Sequence, residues 1–434
     1  MGKSVVEKRR EAGRELRHHL PRGAHGQVPS FDRDAVALLE AGNEGRVPEL
    51  VPIRYGRMLQ SPFAFYRGSA ALMAFDLATV GSSELDVQLC GDCHMMNFGT
   101  YGTPERNLVF DITDFDETLP GPFEWDVKRL ATSLVIGARS KGFPVSEQAD
   151  VTSAMVRTYR ERLWAYSDMT PLDVWYARIG AEDVLKCRGA CRKMVDTARL
   201  HNSASLIPRL VDGDRLKDDP PLVYHLPDPP DLTEFMAAYR ESLQDNRGEL
   251  MSRYRLVDVA MKVVGVGSVG TRCLAVLMMS PEGQPLILQL KEAAESVLAR
   301  YVGRSRYTHQ GRRVVEGQRL MQAATDVFLG WGRSDRFGRD FYVRQLRDWK
   351  GALDMDEVRG PADLQSHAEL CGQALARAHA RAGGRAAELS GYLGKRDSFD
   401  RAVLAFAKAC ADQYERDYEA LKAAWKAGRI KVER

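Results

Sequence analysis

No run in this 434-residue chain approaches the roughly 20 consecutive apolar residues that a membrane-crossing helix needs. The charged opening MGKSVVEKRREAGRELRHHLPRGAHG likewise has no apolar middle of the kind a secretory leader carries. A cytoplasmic protein without a membrane partner is therefore expected. Charge of one sign is also scarce: the formal net charge is only +3, so composition argues against a nucleic-acid partner. Cysteine numbers seven, an odd count spread over a long chain, which fits reduced thiols better than a disulfide framework. Cys90 and Cys93, with Cys187 and Cys191, have the spacing of zinc-binding pairs, but the Gly91-Asp92 between the first two serves another purpose developed below. Internal repeats and low-complexity tracts are absent.

With 44% apolar and 28% charged residues, the chain reads as globular and too long for a single ordinary core. Residues 1–50 form an Arg-rich, partly helical arm, and 51–250 begin a larger lobe. From 251 to 350 the pattern changes to strands: LVDVAMKVV, a glycine turn, TRCLAVLMM, the turn SPEGQ and PLILQLKEA predict an antiparallel meander, followed by the helix RRVVEGQRLMQAA and the strands DVFLGWG and DFYVRQLRDWKG. Residues 351–434 are helical and complete the larger lobe. Near the start of the compact fold, Arg54, Arg57 and Arg67 stand among apolar residues and call for acidic partners or a ligand.

The stretch LCGDCHMMNFGTYGTPERNLVFDITDFDETLPGPFEWDVKRLATSL sets Asp92, His94, Asn97, Asp111, Asp114, Asp116 and Asp126 among apolar residues, where ionised carboxylates are costly unless something pairs with them. Val87 to Leu89 reads as a short strand entering the loop GDCHMMN, and NLVFDIT as a second strand ending at Asp114. Strand, loop and strand can bring a carboxylate, an amide oxygen and a second carboxylate to one edge. Mg²⁺ takes such hard oxygen ligands and completes its shell with substrate phosphates.

GVGSVG at 265–270 is a GxGxxG with a strand rather than a helix after it, which disfavours a dinucleotide-binding fold and suits a turn covering phosphates. The third strand of the meander then delivers Lys291, with Glu316 on the next helix positioned to pair with it; Lys262, Glu292 and Glu295 are less suitable rivals.

The spacing D-x-H-x-x-N followed by D-F-D resembles the protein-kinase-like superfamily, closest to its aminoglycoside and choline kinase branch. That resemblance implies Asp92 as catalytic base, Asn97 and Asp114 as metal ligands, and Asp126 as a buried carboxylate bracing the loop. It also implies Gly265, Gly267, Ser268, Gly270 and Lys291 on the phosphates, Glu316 fixing Lys291, and ATP and Mg²⁺ as cofactors. Asp111 competes with Asp114 for the metal, His94 lines the phosphate pocket or orients the loop, and Asp116 is a supporting carboxylate. Cys90 stands where that branch has its first histidine. The order is reversed, since the glycine loop follows the acidic loops by more than 150 residues. The implied fold is α+β, kinase-like, two-lobed and circularly permuted, with a small antiparallel-sheet lobe and a larger mainly helical one. Over nearly its whole length the chain is also similar to the bacterial domain-of-unknown-function family 2252, through LVPIRYGRMLQSPFAFYRGSA, CGDCHMMNFG, LKEAAESVL and VVEGQRLMQAATDVFLGW.

The expected activity is phosphoryl transfer from ATP to the hydroxyl of an unknown acceptor, with nucleotidyl transfer on the same scaffold as a variant. Two alternatives remain open at this point. A metal-dependent phosphoesterase would use Asp92-x-His94 as a two-metal ligand pair. A non-catalytic nucleotide-binding regulator would use Arg300, Arg304, Arg306, Arg312, Arg313 and Arg319 to meet an anionic partner.

Overall fold

The computed structural model describes residues 3–187, 189–200, 203–228, 230–346 and 349–433. It is an α+β chain whose sheets are all antiparallel. The Arg-rich arm is helical over Val5–Glu15 and docks on the helix Ala386–Leu393, where Arg9 pairs with Glu388 at 2.9 Å.

The acidic segment folds as two nested hairpins. The outer strands β1 (Asp86–Leu89) and β4 (Leu119–Pro122) pair with Leu89 opposite Leu119. Inside them, β2 (Phe98–Gly102) and β3 (Leu108–Ile112) pair with Phe98 opposite Ile112. Nesting makes the two connections, residues 90–97 and 113–118, run side by side, and the Thr113 amide donates to the Asn97 carbonyl at 2.8 Å. Every position of β3 is buried, and the strand stops two residues before Asp114. Leaving β4, the chain enters α1 (Phe123–Ser140), buried from Phe123 to Ala138 as befits a helix at the centre of its lobe. α2 (Val145–Ser167) packs beside it.

The predicted meander is present as β5 (Arg255–Lys262), β6 (Cys273–Met279) and β7 (Pro285–Glu292). α3 (Gln310–Met321) follows, then β8 (Gly330–Ser334) and β9 (Arg339–Gln345), giving the order β8-β9-β7-β6-β5 with Val223–Tyr224 added at the β5 edge. Alternation decides the two faces. Leu274, Val276, Leu286, Leu288 and Leu290 join Phe235 and Tyr239 from the helix Thr233–Glu241 in one core. On the opposite face Ala275, Leu277 and Ile287 meet Leu216 and Leu346. That face then turns polar: Lys291 lies opposite Tyr342 and Gln289 opposite Arg344.

From the sheet the chain returns to the acidic hairpins, with Gly351 pairing opposite Thr100 on β2. It then runs beneath them as α4 (Pro361–Gly383), which lies so close to α2 that a Cβ on Gly372 would sit 2.5 Å from the Met155 carbonyl. α5 (Ser398–Lys426) closes the helical body against α1.

Candidate functional site

Asp126, in the first turn of α1, anchors the loop that carries Asp92. Its carboxylate accepts from the amides of Cys90 at 2.8 Å and Gly91 at 3.1 Å, and lies 3.2 Å from His379 Nε2 on α4. The carboxylate thereby ties the start of the loop to α1 and α4. Gly91 adopts φ +86°, and a Cβ there would lie 2.3 Å from the Glu117 carbonyl, so the neighbouring loop leaves no room for a side chain. Asn97 closes the turn by donating from Nδ2 to the Asp92 carbonyl at 2.8 Å, which leaves its Oδ1 as a free-standing acceptor type at the loop's end.

The Asp92 carboxylate is paired, and by a residue outside the predicted set. Arg129, three residues after Asp126 on α1, reaches Oδ1 with Nε at 2.6 Å and Nη2 at 2.5 Å. Burial nevertheless raises the Asp92 pKa above the usual carboxylate range, with Arg129 opposing it. His94 Nε2 stands 3.8 Å from Asp92 Oδ2. The ring is 3% exposed, and burial, together with Arg67 and Arg129, pushes its pKa well down, so it is neutral.

The sheet reaches this same place. Lys291 Nζ rests on Asp116 Oδ2 and lies 3.8 Å from Asp114 Oδ2. Tyr342, opposite Lys291 in register, donates from its hydroxyl to Asp116 Oδ1 at 2.7 Å, and Ser268 Oγ approaches Asp116 Oδ2 at 3.5 Å. Two stretches far apart in sequence thus meet at one place. Burial works against the Asp114 charge, but Lys291 and Arg344 overcome it and bring its pKa down to about 2. Lys291 is likewise opposed by burial yet held well above its ordinary value by Asp114 and Asp116.

The glycine loop between β5 and β6 has φ +70° at Gly265 and +92° at Gly270. Its carbonyls are taken up by the helical segment outside it: Arg57 donates to Gly265 O at 2.5 Å, Arg46 to Val269 O at 2.6 Å and the Val47 amide to Gly270 O at 2.8 Å. Gly267 lies on the Arg67 carbonyl, 3.2 Å from where its Cβ would be.

Two expectations need correction. Glu316 does not fix Lys291; it pairs with Arg319 at 3.2 Å. The face of α3 turned to the acidic loops is that of Arg313 and Gly317, one turn apart: Arg313 donates to the carbonyls of Asp116, Thr118 and Ala294, and a Cβ on Gly317 would strike Thr118. Asp111 is no rival for a metal. It is fully buried, accepts from Arg377 Nη2 at 2.6 and 2.7 Å and from the Ala323 amide at 2.9 Å, and so serves the packing of α4.

Cys90, Cys93 and Asp126 bring ligand atoms within 4.8 Å of one another, but the carboxylate is already committed to two amides and a histidine. Cys187 and Cys191 do not join them in a common metal-ligating group among the described residues. A cavity of about 430 Å³ beside Leu38, Ala71, Ser296 and Tyr301 is lined by Arg300 and Arg304 of the basic cluster and by none of the residues expected on phosphates or metal.

Sequence reasoning missed Arg129, Tyr342 and Arg344, and it assigned Arg313 to a basic cluster meeting an anionic partner, whereas Arg313 bonds to the carbonyls of the acidic loop. Arg129 had one available signal, its position three residues after Asp126 on a helix, which places both on neighbouring parts of one face. Tyr342 becomes legible only once β9 is known to pair with β7.

No curated protein and no solved structure shows a match to this chain. Residues 46–424 match the model of a family described as an uncharacterized protein conserved in bacteria, DUF2252. The chain belongs to that bacterial family.

Proposed function

We propose that this protein is an ATP- and Mg²⁺-dependent phosphotransferase acting on a hydroxyl acceptor, built on a circularly permuted kinase-like arrangement. One observation carries the reading: Lys291, on the strand pair that follows the glycine loop, meets Asp114 and Asp116 beside Asp92. A turn with positive φ at two glycines, a buried lysine, a carboxylate held ionised and a second carboxylate with a raised pKa are the parts that phosphoryl transfer needs in one cleft.

The residues fit a divalent cation. Asp114 stays ionised to about pH 2, and Asn97 spends its amide nitrogen on Asp92 O, so both offer hard oxygens. Bound there, Mg²⁺ would neutralise charge on the nucleotide's phosphates. The protein's own share is then clear. Lys291 exchanges part of its contact with Asp116 for phosphate oxygens, the Gly265–Gly270 turn covers them, and Asp92 accepts the acceptor hydroxyl's proton. Arg129 keeps Asp92 oriented, while His94, neutral, adds no further charge.

The phosphoesterase reading has less behind it, because no metal-ligating group of three forms around Asp92 and His94 among the described residues. A thermal-shift series with nucleotides, with and without Mg²⁺, tests the proposal. At 100 times Kd, ATP with Mg²⁺ should stabilise the protein by about 2.7 kcal/mol. Asp92→Asn should retain that shift while abolishing phosphoryl transfer. Absence of stabilisation by any nucleoside triphosphate would remove the proposal.

A further inference from the structure

Three arginines in the helices outside the glycine loop called for partners, and the structure supplies them for two. Arg54 donates to Asn43 Oδ1 at 2.7 Å and Gly68 O at 3.1 Å, and Arg57 to Gly265 O at 2.5 Å. Arg67, the last residue of the helix Pro62–Arg67, makes no ion pair or side-chain hydrogen bond among the described residues, and its Nε is enclosed without a partner. Two further enclosed nitrogens beside Asp92 also lack partners: Arg129 Nη1 and His94 Nδ1. Arg129 is already paired with Asp92 and His94 is neutral, so among the described residues Arg67 is the cation left without a direct contact, with Asp92 and Asp114 acting on it only at a distance, and it is suited to a ligand that brings negative charge to it.

Its place in the cleft says which charge. Arg67 acts electrostatically on Asp92 and Asp114, whereas Lys291 acts on Asp114 and Asp116. Lys291 thus touches Asp116 and lies 3.8 Å from Asp114 on one side, Arg129 holds Asp92 on the other, and Arg67 is within electrostatic reach of both Asp114 and Asp92. Above Arg67 sits Gly267, packed on its backbone carbonyl. A nucleotide whose inner phosphates lie at Lys291 and whose acceptor lies at Asp92 has its terminal phosphoryl group between them.

We propose that Arg67 binds the terminal phosphoryl group of the nucleotide and remains on it during transfer. This rests on the phosphotransferase reading above. The acceptor oxygen forms a bond to the terminal phosphorus as the bond from that phosphorus to the bridging oxygen breaks. The electron pair leaves with the nucleoside diphosphate, the acceptor's proton passes to Asp92, and Arg67 offsets charge on the peripheral oxygens. Its planar fork suits two of those oxygens at once.

Calorimetric titration of the full chain with Mg²⁺ and either ADP or the β,γ-imido analogue of ATP tests this. Wild type should prefer the triphosphate. Arg67→Gln should weaken the triphosphate on the order of 10- to 100-fold and leave ADP within about threefold. Arg67→Lys, which keeps the charge but not the fork, should fall between. Melting of each variant without nucleotide checks that it folds, and Arg67→Lys decides the matter if Arg67→Gln does not. Equal weakening of both nucleotides, or an unchanged ratio, would overturn the role of Arg67 alone. Failure of wild type to bind either nucleotide would overturn the phosphotransferase reading, and this role with it.

Discussion

Asp111 and Asp114 stand three residues apart in DITDFD, and substituting each by alanine should have opposite consequences. Asp111→Ala removes the carboxylate that receives Arg377 at 2.6 and 2.7 Å, the Ala323 amide at 2.9 Å and the Ile112 amide at 2.9 Å. Arg377, at 0% exposure, would keep only the Met321 carbonyl at 2.8 Å, and its Nε and Nη1 are already without partners. Breaking a buried pair on one side costs about 3–5 kcal/mol. Asp114 is different: its side chain is 32% exposed, and Lys291 retains Asp116 when it is gone, so its loss should cost about 1 kcal/mol or less. Urea denaturation measures the first quantity, and Mg²⁺-dependent nucleotide stabilisation measures the functional one. Asp111→Ala should lower stability strongly but keep the Mg²⁺ response in the folded fraction; Asp114→Ala should keep stability and lose the response. If Asp111→Ala proved as stable as wild type, or stable but unresponsive to Mg²⁺, the division of labour argued here would be wrong.

Two further outcomes are expected. His367, buried against the Met95 carbonyl at 2.9 Å, has its pKa lowered by burial from 6.5 to about 4. Its contribution is complete above pH 6.5 and is lost as pH falls toward 4, because the unfolded chain binds the proton first; the loss is on the order of 3 kcal/mol. In His367→Gln the dependence of stability on pH between 6.5 and 4 should shrink by about one proton, and an unaltered slope would count against it. Gly91→Ala combines a positive φ with a contact 2.3 Å from the Glu117 carbonyl, so denaturation should show a loss of about 2–4 kcal/mol, and a neutral substitution would contradict the loop geometry.

β5, β6 and β7 were readable because each is a short apolar run with Gly, Pro or Ser turns between them, and their order along the chain is also their order of contact; β8, GWGRS, is not such a run and only its start overlaps the expected strand DVFLGWG. The residues of the acidic loops were readable by type and spacing for the same local reason. Their partners were not. Lys291 to Asp116 spans 175 positions, and Arg377 to Asp111 spans 266, and nothing in either local segment encodes the other. Glu316 illustrates the limit: helical period places it on α3, but its direction is set by where Arg313 and Gly317 touch Thr118, and adjacent residues on a helix point about 100° apart. Arg54 and Arg57 were visible as charges in need of partners, yet the neutral oxygens that satisfy them, the Asn43 side chain and the Gly68 and Gly265 carbonyls, have no signature in sequence.

The placement of α4 beneath the acidic hairpins bears on how the chain is made. Asp111 leaves the ribosome 266 residues ahead of Arg377, and Asp126 leaves 253 ahead of His379. At about 5–20 residues per second, Asp111 waits roughly 15–50 seconds for its counter-charge. During that interval β3 cannot settle into its final surroundings without burying a lone carboxylate. The segment with the densest concentration of candidate chemistry is therefore synthesised early and completed late, and a nascent chain ending before α4 should present it unfinished to chaperones or proteases.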